Sequence, residues 1–241
     1  MPTITEDPEN PNIKHLKFSQ EELRTSTGIV VPDETPIIRY MSLSKFYSLL
    51  ASESLWFPRV DQFSDEYEGL AIIDTPSDDA DYFRKLSLVS CWNYFLTESF
   101  PLWKIYLGNE PAGIGLVSTV GDFKLCLKNE DDRKHITPYQ VQYVNPDETY
   151  DGINNMLLVT RKKNFYEYEN EIRFNYYTGG GDFEQPVGRA IQLEPKQLIN
   201  KVILSPYMPF WIRSTFEDII KKYGLGDIQI AKSIVKDKML K

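Results

Sequence analysis

Asn164 to Tyr177 reads NFYEYENEIRFNYY, a stretch that sets Glu167, Glu169, Glu171 and Arg173 at alternate positions. Successive side chains of a β-strand point to opposite faces, so an extended chain here puts those charges on one face and Tyr168, Ile172 and Phe174 on the other. A row of carboxylates ending in a guanidinium is either an ion-pair ladder on a solvated strand or part of a site. The aromatic and β-branched content of EIRFNYY favours the strand itself.

Outward from this strand the chain alternates short strands with short helices. Upstream, YQVQYV alternates strictly and reads as a strand, and YDGINNMLLVTRKKN suits a helix. PIIRYM reads as extended, followed by the helix SLSKFYSLLASES, where Leu43, Phe46, Tyr47 and Leu50 recur at helical spacing behind a serine cap. SLWFP, LSLVSCW and AGIGLVS read as further strands. TESFPLWKIYLG reads as a helix capped by Ser99, with Pro101 in its first turn and Gly108 at its end. Downstream, Gly179 to Gly181 form a loop, and RAIQLE, KQLIN, KVILS, PFWIRSTFEDIIKKYG and DIQIAKSIV repeat strand, turn and helix, Gly224 marking a helix end. Elements of such unequal length favour an α+β fold over a doubly wound parallel sheet. Residues 1–36, rich in Pro, Thr, Glu and Asn, read as an irregular N-terminal arm with one short helix in LKFSQEELRT, and 37–241 as a single α+β domain.

The 241 residues are 41% hydrophobic, enough for a sizeable core. Asp and Glu number 35 against 27 Lys and Arg, a formal charge of -8, which argues against a general phosphate-binding surface while leaving room for a local basic patch. Cys91 and Cys126 lie in hydrophobic stretches and read as small buried thiols in a reducing compartment. The start, MPTITEDPENPNIKHLKF, has no apolar segment of the signal-peptide type, and no run approaches the length of a membrane span, so a cytoplasmic protein without membrane contact is expected. No GxGxxG or GxxxxGK[ST] occurs, and neither His15 nor His135 has a second imidazole or a cysteine nearby in sequence. A Ser-His-Asp triad, a P-loop and a cysteine-based metal site are therefore all disfavoured.

Several of these stretches, taken in order, resemble the bacterial and phage-associated domain of unknown function 2971 family. The resemblance is carried by IIRYMSLSKFYSLLASESLWFPRVDQFSDEYEG, VSCWNYFLTESFPLWKIYLGNEPAGIGLVS, KKNFYEYENEIRF and NKVILSPYM, which span most of the chain after Pro36. The basic-tyrosine strand end is filled by Arg39 and Tyr40, and the helix and glycine-containing strand by Trp103, Tyr106, Gly113 and Gly115. The Tyr-Glu-x-Glu-x-Arg motif is intact at Tyr168, Glu169, Glu171 and Arg173. The sequence departs from the family at Ser64, where an asparagine is usual, and at Cys91-Trp92-Asn93, where the family has a cysteine-phenylalanine-serine strand end.

The family's layout is in turn similar to ADP-ribosyltransferase-like domains, with mixed, mostly antiparallel split sheets and packed helices. The resemblance implies an NAD-consuming or ADP-ribosyl-transferring enzyme, a toxin or phage-defence effector, with NAD as substrate. It implies that Arg39 holds the dinucleotide's pyrophosphate or ribose, with Arg173 also on the cofactor side, and that Tyr40 or Trp92 stacks on nicotinamide. Glu171 would stabilise the charge that develops as nicotinamide leaves, and Glu169 would orient or deprotonate the acceptor, a protein or a nucleic acid.

Other readings stand beside this one. Glu169, Glu171 and Arg173 also suit a solvated ladder, where exposed ion pairs contribute only about 0–1 kcal/mol. Arg39 between Ile38 and Tyr40 suits an arginine snorkelling from a half-buried strand. Asp65 and Glu68 suit a braced turn, and Trp103 and Tyr106 a core helix face. A metal-dependent nuclease using Asp65, Glu68, Glu169 and Glu171 is a second function class, and a non-catalytic module using the 13% aromatic content as a partner surface is a third.

Overall fold

The computed structural model describes residues 3–6, 14–17, 31–63, 82, 84–145, 159–178 and 187–235. The strands in chain order are β1 (Thr3–Glu6), β2 (Lys14–Lys17), β3 (Pro36–Ser42), β4 (Ser54–Pro58), β5 (Ser87–Tyr94), β6 (Gly113–Thr119), β7 (Ile136–Gln140), β8 (Gln142–Val144), β9 (Arg161–Lys163), β10 (Glu171–Tyr177), β11 (Gly188–Gln192), β12 (Lys201–Leu204) and β13 (Gln229–Lys232). Between them lie helices α1 (Leu43–Ser52), α2 (Phe100–Leu107), α3 (Val120–Cys126), α4 (Glu130–His135), α5 (Pro195–Leu198) and α6 (Phe210–Lys222). The class is a mixed α/β one with mostly antiparallel pairing, as the alternation of elements implies; β12 with β13 and β8 with β9 are parallel.

The chain divides into two compact units. One comprises residues 32–55, 92–133 and 191–241, and in it β3 lies antiparallel to β6, with Tyr40 opposite Gly115, while β6 continues to β12 and β13. Its core cluster gathers Ile38, Tyr40, Leu102, Trp103, Leu107, Val117 and Ile203. Ser42 caps α1 by accepting from the Lys45 N–H, and the helix buries Phe46, Leu49 and Leu50 at helical spacing. Ser99 caps α2 by accepting from the Leu102 N–H, and Gly108 ends that helix at φ 56°. Packing leaves little room at the glycines of β6, least at Gly113, where the obstacle is backbone. A Cβ on Gly113 would stand 2.7 Å from the Met41 carbonyl oxygen, and one on Gly115 would stand 2.8 Å from Ile38 Cδ1.

The other unit comprises residues 1–31, 56–91 and 134–190. In it β10 lies antiparallel to β7, with Arg173 opposite Tyr139, and the first part of β5 is the neighbour of β10 in the strand order. Val60, Val89 and Val159 form an apolar cluster with Phe63 and Cys91 packed against it. The N-terminal arm, irregular by composition, holds an antiparallel pair, β1 with β2, in which Ile4 is opposite Leu16. The helix expected in LKFSQEELRT falls on Leu16 and Lys17 of β2 and otherwise outside the described residues, as do Gly179 to Gly181, Asp65 and Glu68.

Three local expectations change. YQVQYV is not one strand but β7 and β8, parted at Val141. The helix expected over YDGINNMLLVTRKKN is seen at Val159 and Thr160 but gives way to β9 at Arg161–Lys163, and its start lies outside the described residues. NFYEYE is a 3-10 helix over Asn164–Glu169, not the start of the strand. Asn170 explains the last: it adopts a left-handed conformation at φ 43°, which asparagine tolerates better than most residues, and its N–H returns to the Glu167 carbonyl, closing the turn before Glu171 begins β10.

Candidate active site

Glu171 and Arg173 share a face of β10, two residues apart, but Glu167 and Glu169 belong to the preceding 3-10 turn. Burial removes the solvated-ladder reading. Glu169 is 9% exposed, Glu171 2% and Arg173 0%, whereas Glu167 faces solvent. Both faces of β10 are covered over most of its length, so period-2 alternation cannot mark one face as wet.

The Arg173 guanidinium donates from Nη2 to Glu171 Oε2 at 2.9 Å and from Nη1 to the Val159 carbonyl at 3.2 Å, and it lies 5.8 Å from the Phe63 ring centroid. Lys162 supplies a second cation: its Nζ is 2.7 Å from Glu169 Oε2 and 3.6 Å from Glu171 Oε2, and 4.6 Å from the Tyr166 ring centroid. The backbone N–H of Glu171 donates to the Tyr143 hydroxyl at 2.9 Å. Two carboxylates and two cations thus meet at the start of β10, above the valine cluster. Burial pushes the Glu171 carboxyl up, but Arg173 and Lys162 beside it, with hydrogen bonds from Arg173 and the Cys91 thiol, outweigh that and hold it below the usual carboxylate range. Burial raises the Tyr143 hydroxyl, and the nearby Glu171 charge raises it further, so Tyr143 stays protonated.

The remaining expected site residues lie in the other unit. Arg39 on β3 is half-buried, its guanidinium 5.9 Å from the Trp92 ring centroid. Trp92 is 1% exposed and meets Phe123 edge-on at 5.7 Å. Tyr40 is 3% exposed, packs edge-on against Trp103 and stacks with Tyr106, and its hydroxyl accepts from the Ser99 N–H. Burial pushes that hydroxyl up to about 12. Trp103 is fully buried, with its indole N–H donated to Glu98 at 3.0 Å, so it is core as its helical spacing implies; Tyr106 is partly exposed. The structure therefore brings Glu169, Glu171 and Arg173 together in one unit and sets Arg39 beside Trp92 in the other, whereas Tyr40, the next residue of β3, packs against Trp103 and Tyr106.

Lys162 and Tyr143 have no place in the motif reading. Read as one extended chain, even-numbered Lys162 falls on the face opposite the acid row at 167–173, and the helical pattern ahead of it hides β9 as well. The chemistry available at the cluster is electrostatic: an ionised carboxylate with its charge held in place can stabilise a positive charge developing next to it.

No protein-family model matches the chain, and no curated protein does. The likeness to the domain of unknown function 2971 family therefore rests on its motifs. Among solved structures, Thermus sp. 2.9 DarT in complex with NAD+ is similar over 83% of this chain and 96% of that chain, at 12% identity and a TM-score of 0.42. The same protein in complex with carba-NAD+ is similar over 84% and 97%, at 13% identity and a TM-score of 0.40. In complex with ADP-ribosylated ssDNA it is similar over 86% and 97%, at 12% identity and a TM-score of 0.44.

Proposed function

We propose that this chain consumes NAD as an ADP-ribosyltransferase-like enzyme in which Glu171 is the catalytic carboxylate. One observation carries the reading: Glu171, in the second glutamate position of the Tyr-Glu-x-Glu-x-Arg motif, is buried yet held ionised by Arg173 and Lys162. Burying a charge is costly, and such a group with specific partners is a functional candidate on physical grounds.

In the reaction the glycosidic bond between the ribose C1′ and the nicotinamide nitrogen breaks. Nicotinamide leaves with the bonding pair and so loses its pyridinium charge, while positive charge grows on the ribose. The fixed Glu171 carboxylate stabilises that growing charge. The acceptor's nucleophile then bonds to C1′ and gives up its proton, for which Glu169 is the candidate base. Whether the acceptor is a protein, a nucleic acid or water decides between transfer and simple NAD hydrolysis. A toxin or phage-defence role follows if that consumption is unrestrained in a host cell.

The test is nicotinamide release from NAD by purified wild-type protein, alongside growth arrest on expression. Release and arrest by wild type, with both lost in Glu171→Gln at a temperature where that variant is still folded, are expected. A folded wild-type protein that leaves NAD intact with every acceptor class offered would overturn the reading. A non-catalytic binding role has one specific observation in its favour: Phe210 and Trp211, adjacent at the start of α6, are 92% and 72% exposed. Among the described residues no group of His, Cys, Asp or Glu is arranged to hold a metal ion, and Asp65 and Glu68 of the nuclease reading lie outside them.

A further inference from the structure

Lys162 stands outside the acid motif in sequence yet between its glutamates in space. The register of β8 with β9 places it there, because Tyr143 and Lys162 are partners in that parallel pair. From this one rung, the Tyr143 hydroxyl takes the backbone N–H of Glu171, and the Lys162 ammonium reaches its carboxylate. The strand pair thus grips the first residue of β10 at both its main chain and its side chain.

We propose that Lys162 is the positioning residue of the acid pair, bridging Glu169 and Glu171 so that the two carboxylates stay side by side at the start of β10. The distances assign it a task distinct from that of Arg173. Arg173 approaches Glu171 more closely, at 2.9 Å, and also binds the Val159 carbonyl. Lys162 reaches Glu169 as well, at 2.7 Å. Its side chain is 10% exposed, so solvent does little to screen the bridge. Without it, Glu169 and Glu171 lose a cation that reaches both. Neighbouring buried carboxylates that lose such a cation repel, which favours a proton on one of them.

The kinetic side of this inference rests on the proposed NAD chemistry, whereas its electrostatic side stands on the packing alone. The experiment therefore pairs two readouts on full-length wild type, Lys162→Met and Lys162→Arg. The first is melting temperature from acid to neutral pH. In wild type the Glu171 carboxyl is held below its unfolded value, so its contribution is present above that value and lost as pH falls through the folded one. In Lys162→Met the acid pair retains a proton, a contribution present at low pH and lost as pH rises. The gap between the two melting curves is thus expected to widen from acid to neutral pH, and Lys162→Arg to close it.

The second readout is the pH profile of nicotinamide release. In Lys162→Met, kcat is expected to fall by roughly 10²-fold, the scale of a 1 Å misplacement of a reacting group, with KM nearly constant and the acid limb moved to higher pH. A melting gap that does not vary with pH, together with an unmoved acid limb, would make Lys162 a simple strut and overturn the proposal. If wild type releases no nicotinamide, it is the catalytic reading of Glu171 that fails, and the melting series alone decides the role of Lys162.

Discussion

Arg173 concentrates what this chain achieves with single residues. Its guanidinium is wholly buried, and its value lies less in attraction than in what its loss would leave behind: a carboxylate at Glu171 that is 2% exposed and short of a partner. Breaking a buried pair by removing one member costs about 3–5 kcal/mol, so Arg173→Leu is expected to lose that much stability in denaturant unfolding at neutral pH. The loss should shrink in acid, where a proton on Glu171 removes the orphaned charge. Glu171 and Arg173 were legible as a pair because their spacing and order match a motif. Their burial was not legible, since alternating charge on a strand reads the same whether the face meets water or a second layer. Lys162 was hidden altogether, because its partnership depends on β8 and β9 pairing across a span of chain whose pattern suggests a helix.

Among the elements, helix ends and tight strand contacts were the most readable, because they obey local rules. Ser42, Ser99, Gly108 and Gly224 mark helix boundaries where capping and left-handed geometry require them. Trp103, placed in the core by helical spacing, packs on Gly115 and Tyr40, and Trp103→Ala should cost about 3–5 kcal/mol in thermal or chemical unfolding, as large-to-small core changes do. The turn into β10 was the least readable element. NFYEYE has the aromatic and charged composition of a strand, and only the left-handed residue after it decides otherwise. Asn170→Ala should therefore cost about 1–2 kcal/mol, the strain of a Cβ in that region, while Asn170→Gly should come close to wild type. Melting temperatures of the two variants check this directly; equal losses would point to the asparagine side chain rather than the backbone.

For the whole molecule, the fold class followed from the mixture of short strands and helices, but the strand order did not. β3 is flanked by β6 on one side and pairs with β5 at Ile37 and Ile38 on the other, and β12 returns beside β6; such non-local neighbours leave no trace in periodicity. The site was legible to the same degree. The acid motif could be read along the chain, whereas the Tyr143 hydroxyl, the Lys162 ammonium and the Val159 carbonyl that converge on it come from β8, β9 and the chain just ahead of β9. Among the described residues no helix is long and apolar enough to cross a membrane.

The central claim, that the fixed charge of Glu171 drives NAD consumption, is tested most directly by nicotinamide release from NAD in wild type, Glu171→Gln and Glu167→Gln at a temperature where all three are folded. Glutamine keeps the shape of the side chain and removes its charge. Glu167 is the control because it is exposed in the 3-10 turn, outside the buried cluster. Glu171→Gln is expected to lose roughly 10²–10³ in turnover, the scale of removing one preorganised electrostatic group, while Glu167→Gln keeps wild-type activity. Equal and undiminished turnover in the two variants would contradict the account and leave the cluster at the start of β10 a structural one.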